Sequence, residues 1–272
     1  MSTHPSWDPE QYRRYADERS RPFFELVGRV GAERPDRVVD LGCGDGALTA
    51  TLAARWPGAL VEGVDRSPEM IARAEPRTIP GRLRFVRADV RDWRPDAPVD
   101  VVVSNAALQW VPEHGERLTD WVVALAPGGW LAFQVPGNDR APSHTILEEL
   151  RVAPPWRERL AAAAPGPRVL EPREYLDRLA DLDCTVDAWE TTYLHVLRGT
   201  DAVLEWIKGS ALRPVLTALA GREQDAFLAE YAALLREAYP ARASGTVMPF
   251  RRLFVVARRP ANGRAPGSRA CA

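Results

Sequence analysis

Cysteine is scarce in this chain, and long apolar runs and any excess charge of one sign are absent. The three cysteines, Cys43, Cys184 and Cys271, are odd in number and widely spaced, which fits neither a disulfide framework nor a zinc site. No stretch approaches the roughly 18 consecutive apolar residues of a membrane span. The opening MSTHPSWDPEQYRRYADERSR has no apolar run behind its charges, so a secretory signal is not expected there. Lys and Arg number 36 against 37 Asp and Glu, a formal net charge of -1 that gives no general pull toward nucleic acid or an anionic membrane. Any anionic ligand must therefore be held by a local cluster of cations. These absences lead to the expectation of a soluble cytoplasmic protein without nucleic-acid or membrane partners and without a bound metal.

What is present is ordinary for a globular chain, with 272 residues, 46% hydrophobic and 27% charged. That length suits one large α/β domain with insertions, or a domain plus a small lobe. Residues 8–31 read as helix, with Phe23, Phe24, Leu26, Val27 and Val30 at helical spacing and Pro22 expected to break or restart it. RVVDLG (37–42), ALVEGVD (59–65), RLRFVRADV (82–90), VDVVVSNAA (99–107) and WLAFQVP (130–136) read as five buried parallel strands. Helices at 47–56, 67–75 and about 116–126 fall between them, the last ending at Pro127-Gly128-Gly129. This alternation predicts a doubly wound, Rossmann-like, mostly parallel sheet with helices on both faces.

After Pro136 the rhythm changes. Residues 142–182 read as helical, 184–197 as an edge strand, 201–239 as three helices and 246–259 as a last, antiparallel strand, the seventh of the sheet. The expected organisation is an N-terminal helical cap over the site (1–30), a cofactor-binding core (31–136), a helical substrate lobe (137–245) with one sheet strand (184–197), the last core strand (246–259) and a disordered tail (260–272).

The segment VVDLGCGDG (38–46) places Asp40 two residues before Gly42-Cys43-Gly44-Asp45-Gly46. Glycine is needed where the backbone turns sharply and must approach a ligand with no room for Cβ. A dinucleotide-binding loop is the obvious rival for a glycine triplet. Three details favour a ribose-bearing ligand with an amino group: the spacing is G-x-G-x-G, Asp40 would repel a pyrophosphate, and Asp65 ends the second strand where an acid accepts hydrogen bonds from a ribose diol. A carboxylate beside the loop suits a ligand with an amino group.

Over 38–136 this pattern resembles the class I S-adenosylmethionine-dependent methyltransferase family. The resemblance implies that Asp40, Gly42 and Gly44 line the methionine moiety and that Asp65 takes the ribose hydroxyls. Met70 and Val90 then flank adenine, Asp89 accepts from its exocyclic amine, and Asn105 sits beside the methionine and the transferred methyl. Each acid alone is explained equally by a turn or a helix cap. Four such residues at successive strand ends, on the edge where α/β sheets bind ligands, point to one site. Cys43 reads as a small buried residue.

Four further segments, YADERSRP (15–22), SNAALQWVPEH (104–114), LEWIKGSALRPVL (204–216) and MPFRRLFVVARR (248–259), resemble the branch of that family that esterifies a small unsaturated tricarboxylate, trans-aconitate. The resemblance implies transfer of the methyl of S-adenosylmethionine to one carboxylate, giving a monomethyl ester and S-adenosylhomocysteine. Such an acceptor needs cations, and the candidates outside the cofactor core are Arg19, Arg21, His144, His195, Lys208, Arg213, Arg251 and Arg252. Arginine's planar fork suits a carboxylate, and Arg213 and Arg251 lie in the segments that carry the resemblance. Trp110, Trp206, Trp156, Tyr12 and Tyr193 either close a pocket or pack a core. The acceptor-side set is Arg21, Trp110, His144, Trp206, Lys208, Arg213 and Arg251.

A carboxylate is ionised at neutral pH, so its methylation requires no general base. Asn105, Gln109 and Trp110 are expected to position the reacting oxygen, and the cations to grip the carboxylates that do not react. The alternatives are a methyltransferase for another small carboxylate or a natural-product hydroxyl, and a non-catalytic S-adenosylmethionine-binding protein. Strand four lacks the Asn-Pro-Pro-aromatic run common in base methylation. The expected oligomeric state is monomer or weak dimer.

Overall fold

In the computed structural model of the protein the described residues are 16–163 and 168–261. The first part of the expected N-terminal helix with Tyr12, the Arg19 side chain, and the tail from 262 with Cys271 lie outside them. The described chain forms two compact units. A sheet unit holds 19–136, 169–191 and 252–261, and a lobe unit holds 16–18, 137–163, 168 and 192–251. The segment 169–191, which the sequence assigns to the lobe, groups with the sheet.

The described chain opens with α1 (Ala16–Val27), followed by β1 (Arg37–Leu41), α2 (Ala47–Arg55), β2 (Leu60–Asp65), α3 (Pro68–Ala74) and β3 (Leu83–Arg87). β4 (Val99–Asn105), α4 (His114–Ala124) and β5 (Leu125–Pro136) complete the parallel part. The chain continues with α5 (Pro142–Val152), α6 (Trp156–Arg159), α7 (Pro172–Ala180) and β6 (Thr185–Leu197). α8 (Ala202–Lys208), α9 (Arg213–Ala218), α10 (Gly221–Ala238), β7 (Ala241–Arg242) and β8 (Gly245–Arg258) follow. The strand order is β3-β2-β1-β4-β5-β8-β6, with β7 paired to β8. β3 to β5 run parallel and β8 runs antiparallel to β5, the doubly wound architecture expected from the sequence.

Three local readings change. Pro22 lies inside α1 without ending it. Proline forfeits one intrahelical bond, and the buried Phe23, Leu26 and Val27 anchor the helix beyond it. β5 begins at Leu125, not Trp130, because Leu125 already pairs with Val99. The Pro127-Gly128-Gly129 run is then a register shift within the strand, with Gly128 at φ +80°. The two-residue β7 was not foreseen.

One face of the sheet carries Leu41, Val102, Phe133, Leu253 and Val255, in one core cluster with Trp121 of α4 and Tyr175 of α7. His114 Nε2 and Tyr175 Oη lie 2.6 Å apart within it, and burial holds the imidazole below its ordinary range. The lobe has its own core of Leu147, Trp156, Trp206, Phe227 and Tyr231. There Tyr231 Oη donates to Ser143 O at 2.5 Å and Ser143 N donates to Tyr239 Oη at 3.1 Å, fixing the start of α5 against α10.

Candidate cofactor site at the carboxyl ends of the strands

Where β1 ends, Gly42 N and Cys43 N both donate to Val64 O, at 2.8 and 3.0 Å, bending the chain toward β2. The glycines of this turn are needed for different reasons. Gly42 has φ +83°, and a Cβ there would lie 2.2 Å from Ala107 Cβ. Gly46 has φ +75°, and its Cβ would meet the Phe85 ring at 2.5 Å. Gly44 has φ +56° but nothing within 4 Å of a built Cβ, so its open side faces space the protein does not fill. Thus only Gly44 matches the expectation of glycine kept for a ligand, while Gly42 and Gly46 make room for the protein itself.

Asp40 is 3% exposed, and Thr49 Oγ1, in the first turn of α2, donates to its Oδ2 at 2.6 Å. Burial pushes the carboxyl up to about 7; the Thr49 bond opposes that shift and the nearby Asp65 adds to it. Asp65 accepts from Gly44 N at 3.0 Å on one oxygen and from Ser67 N at 2.9 Å on the other. It therefore ties the glycine loop to the start of α3. Ser67 caps that helix, its Oγ accepting from Met70 N at 3.2 Å, with proline in the first turn. The cap sets Met70, which is buried, one turn beyond Asp65. Burial, with Asp40 and Asp65 close by, pushes the Cys43 thiol well up, so it is an inert, small buried group as expected.

Val90 is buried after β3, and Asp89 is gripped by Arg91 through Nε at 3.0 Å and Nη2 at 2.7 Å. This pairing holds the Asp89 carboxyl below its usual range. Asn105 ends β4, and its Oδ1 is buried without a hydrogen-bond partner among the described residues. Ala106 follows at φ +53°, a conformation a β-carbon disfavours. Ala106 N donates to Gln134 O at 2.9 Å, and its carbonyl accepts from Gln109 Nε2 at 2.7 Å, so both sides of the strained peptide are pinned. Gln109 Oε1 is buried and has no partner among the described residues. Trp110 is 39% exposed beside it.

The acceptor-side candidates divide between the units. In the sheet unit Arg21 Nε donates to Glu25 at 2.7 Å on the exposed face of α1. In the lobe unit Trp206 is buried and stacks on His195, ring centroids 4.7 Å apart. Lys208 Nζ donates to Glu205 at 2.5 Å. His144 Nδ1 lies 3.1 Å from Ser143 Oγ, and burial lowers its pKa. Arg213 opens α9, and the Arg251 backbone is clipped by Asn138, which donates to its carbonyl at 3.0 Å and accepts from its N–H at 2.8 Å. The sequence reading missed Thr49 and the pairing of Arg252 with Gln134. The register of β8 held a signal for the second: Arg252 lies two residues from the buried Phe254 and so shares its face.

A family model described as a methyltransferase domain matches residues 38–129. A trans-aconitate 2-methyltransferase of Streptomyces avermitilis is 53% identical over 264 residues, covering 94% of this chain and 98% of that protein. Its counterpart in Rhodococcus jostii is 54% identical, covering 92% and 98%. Among solved structures, the geranyl diphosphate C-methyltransferase of Streptomyces coelicolor, in complex with Mg2+, geranyl diphosphate and S-adenosylhomocysteine, superposes with a TM-score of 0.51. It shares 18% identity and covers 95% of this chain and 85% of its own, a likeness of fold.

Proposed function

We propose, for a chain that belongs to the trans-aconitate 2-methyltransferase family, that it esterifies one carboxylate of trans-aconitate with the methyl of S-adenosylmethionine, releasing the monomethyl ester and S-adenosylhomocysteine. The observation that carries this reading is similarity over 94% of the chain, which takes in the segments after residue 136 as well as the glycine loop. A common methyltransferase core alone would name no acceptor.

The residues at the carboxyl ends of the strands fit S-adenosylmethionine. Asp40 and Asn105 Oδ1, which has no partner among the described residues, would supply negative charge and an acceptor for a cationic amino group. Gly42 shapes the turn and Gly44 leaves it open. Asp65, which accepts from Gly44 N and Ser67 N, keeps lone pairs that would receive the ribose hydroxyls. Met70 and Val90 provide buried apolar surface for adenine, and Asp89, although held by Arg91, keeps lone pairs for an amine. When bound, the cofactor supplies an electrophilic methyl on a sulfonium.

The protein's part in the reaction is to bind, orient and exclude water. The acceptor carboxylate is already a nucleophile at neutral pH, so no residue need withdraw a proton. Gln109, pinned through Nε2 with Oε1 in reserve, and Asn105 orient groups at the end of β4, where the strained Ala106 fixes their spacing. Trp110 offers a ring face that shields this edge from water. Arg21, His144, Trp206, Lys208, Arg213 and Arg251 are the acceptor-side residues to be tested one by one, with the cations gripping carboxylates that do not react. Among the described residues no helix is long and apolar enough to cross a membrane. Cytoplasmic action as a monomer or weak dimer, without metal or nucleic acid, completes the proposal.

Incubation with labelled S-adenosylmethionine and a panel of tri-, di- and monocarboxylates and phenols tests it. Label is expected in trans-aconitate and not in phenols; transfer to a phenol or another acid in preference would replace the reading.

A further inference from the structure

Two buried polar atoms at the carboxyl end of the sheet have complementary needs. Asn105, the last residue of β4, pairs with Gln134 of β5, and Val103 of β4 pairs with Asp40 of β1. Directly paired residues share a face, as do residues two apart on one strand. Asp40, Asn105 and Gln134 therefore stand on one face, opposite the one that carries Leu41, Val102 and Phe133. Gln134 has no part in the cofactor set or in the acceptor-side set.

Asn105 Oδ1 is an acceptor and Gln134 Nε2 a donor; both are buried, and neither has a hydrogen-bond partner among the described residues. Leaving either unmet is costly, and one N–H···O bond between them meets both needs. Gln134 Oε1 already accepts from Arg252 Nη1 at 2.9 Å, so Nε2 is the end of the amide left to give. The backbone beside the pair is held by Ala106 N, which donates to Gln134 O at 2.9 Å. The terminal torsions of asparagine and glutamine are soft, so side-chain rotation is the movement that closes the pair. Gln134 is 0% exposed, whereas Asn105 is partly exposed. Gln134 therefore reaches a ligand only through Asn105.

We propose that Gln134 is a positioning residue for methyl transfer, its Nε2 donating to Asn105 Oδ1 in the complex with cofactor and acceptor. That bond decides which end of the Asn105 amide faces which ligand. A carbonyl oxygen has two lone pairs, so Oδ1 keeps one for the cofactor's amino group. Nδ2 is then turned to the acceptor and donates to the carboxylate that reacts. A neutral amide donor orients that carboxylate while drawing less on its charge than a guanidinium would. This inference rests on the reading of the chain as a methyltransferase of a small carboxylate, although the part played toward the cofactor does not depend on which acceptor is used.

The test is a double-mutant cycle between Gln134 and Asn105, read in two ways. Calorimetry gives the affinity for S-adenosylmethionine, and labelled cofactor gives kcat and KM for trans-aconitate. Gln134→Met keeps the size of the side chain and removes the donor. It is expected to weaken cofactor binding by about three- to tenfold and to lower kcat by about tenfold, with KM for trans-aconitate within a few-fold. Gln134→Glu keeps an acceptor for Arg252 Nη1 and sets an oxygen against Asn105 Oδ1, so it preserves the fold if methionine does not; its kcat should fall at least as far. In an Asn105→Ala background either substitution should change these quantities by no more than about twofold, because the residue it acts through is gone. Unchanged affinity and kcat in both variants overturns the role of Gln134, as does the same loss with Asn105 present and absent. The wider reading then stands so long as wild type methylates trans-aconitate. If wild type binds the cofactor and does not methylate trans-aconitate, the wider reading fails and the acceptor half of the inference with it, while the affinity cycle still decides whether Gln134 positions Asn105.

Discussion

Thr49 Oγ1 donates to Asp40 Oδ2 at 2.6 Å, so the carboxylate at the base of the cofactor loop is held by the first turn of the helix that follows it. Burial raises this carboxyl to about 7 against an ordinary value of 3.8. The folded protein therefore binds the proton more tightly than the unfolded chain. Stability from this group is fully present below the unfolded value and is lost as pH rises through about 7. Without cofactor, the gain in melting temperature from Asp40→Asn should grow between about pH 5 and pH 8. A gain that stays flat across that range would show that Asp40 does not titrate there.

Cofactor binding has the opposite dependence. The amino group of S-adenosylmethionine pairs with the ionised form, so affinity should weaken as pH falls from about 7.5 to 6, with proton release in calorimetry. Asp40→Asn should bind weakly with no pH dependence. Thr49→Val, which removes the one side-chain donor to this carboxylate among the described residues, should cost about 1–3 kcal/mol of stability and move the binding transition to higher pH. A binding transition left in place would separate Thr49 from the ionisation of Asp40.

The two glycines should part in their effects. Gly42→Ala meets Ala107 Cβ at 2.2 Å and must shift backbone, so a loss of about 2 kcal/mol or more is expected, with cofactor binding lost as well. Gly44→Ala has open space and suffers chiefly its φ of +56°, about 1 kcal/mol, yet should weaken cofactor binding more than tenfold. Chemical denaturation and a cofactor titration measure both. Normal binding by Gly44→Ala would show that the open side is not where the ligand lies.

Much of this was readable beforehand. The strands and their mostly parallel sense followed from the alternation of β-branched runs and helices, whereas their order came only from the structure. The positions of Asp65 and Asn105 at strand ends, and of Asp40 one residue before the end of β1, were legible in the sequence. Thr49 was not: a threonine inside a helix has the same local pattern whether or not its hydroxyl meets a buried acid. Gln134 and Arg252 are 118 residues apart and meet only through the β5–β8 register, which no local pattern encodes. Pro127-Gly128-Gly129 misled because the residues of a turn also serve a bulge.

Methylation of an ionised carboxylate requires no residue to withdraw a proton. His144, half-buried with its pKa lowered, is neutral at physiological pH and titrates below it. The kcat profile of His144→Gln should therefore show the same limbs as wild type. Loss of a single basic limb in that variant would indicate base-assisted methylation of a hydroxyl or amine.

Arg213→Ala and Arg251→Ala should each raise the KM for trans-aconitate by about tenfold or more while leaving that for the cofactor within about twofold. An unchanged acceptor KM in both would remove these two arginines from the acceptor's binding set.

The most direct measurement is the product itself. Purified protein, S-adenosylmethionine and trans-aconitate should yield one monomethyl ester and S-adenosylhomocysteine in equal amounts, identified by mass spectrometry and proton NMR. Absence of ester, with turnover of a different acceptor under the same conditions, would contradict the assignment.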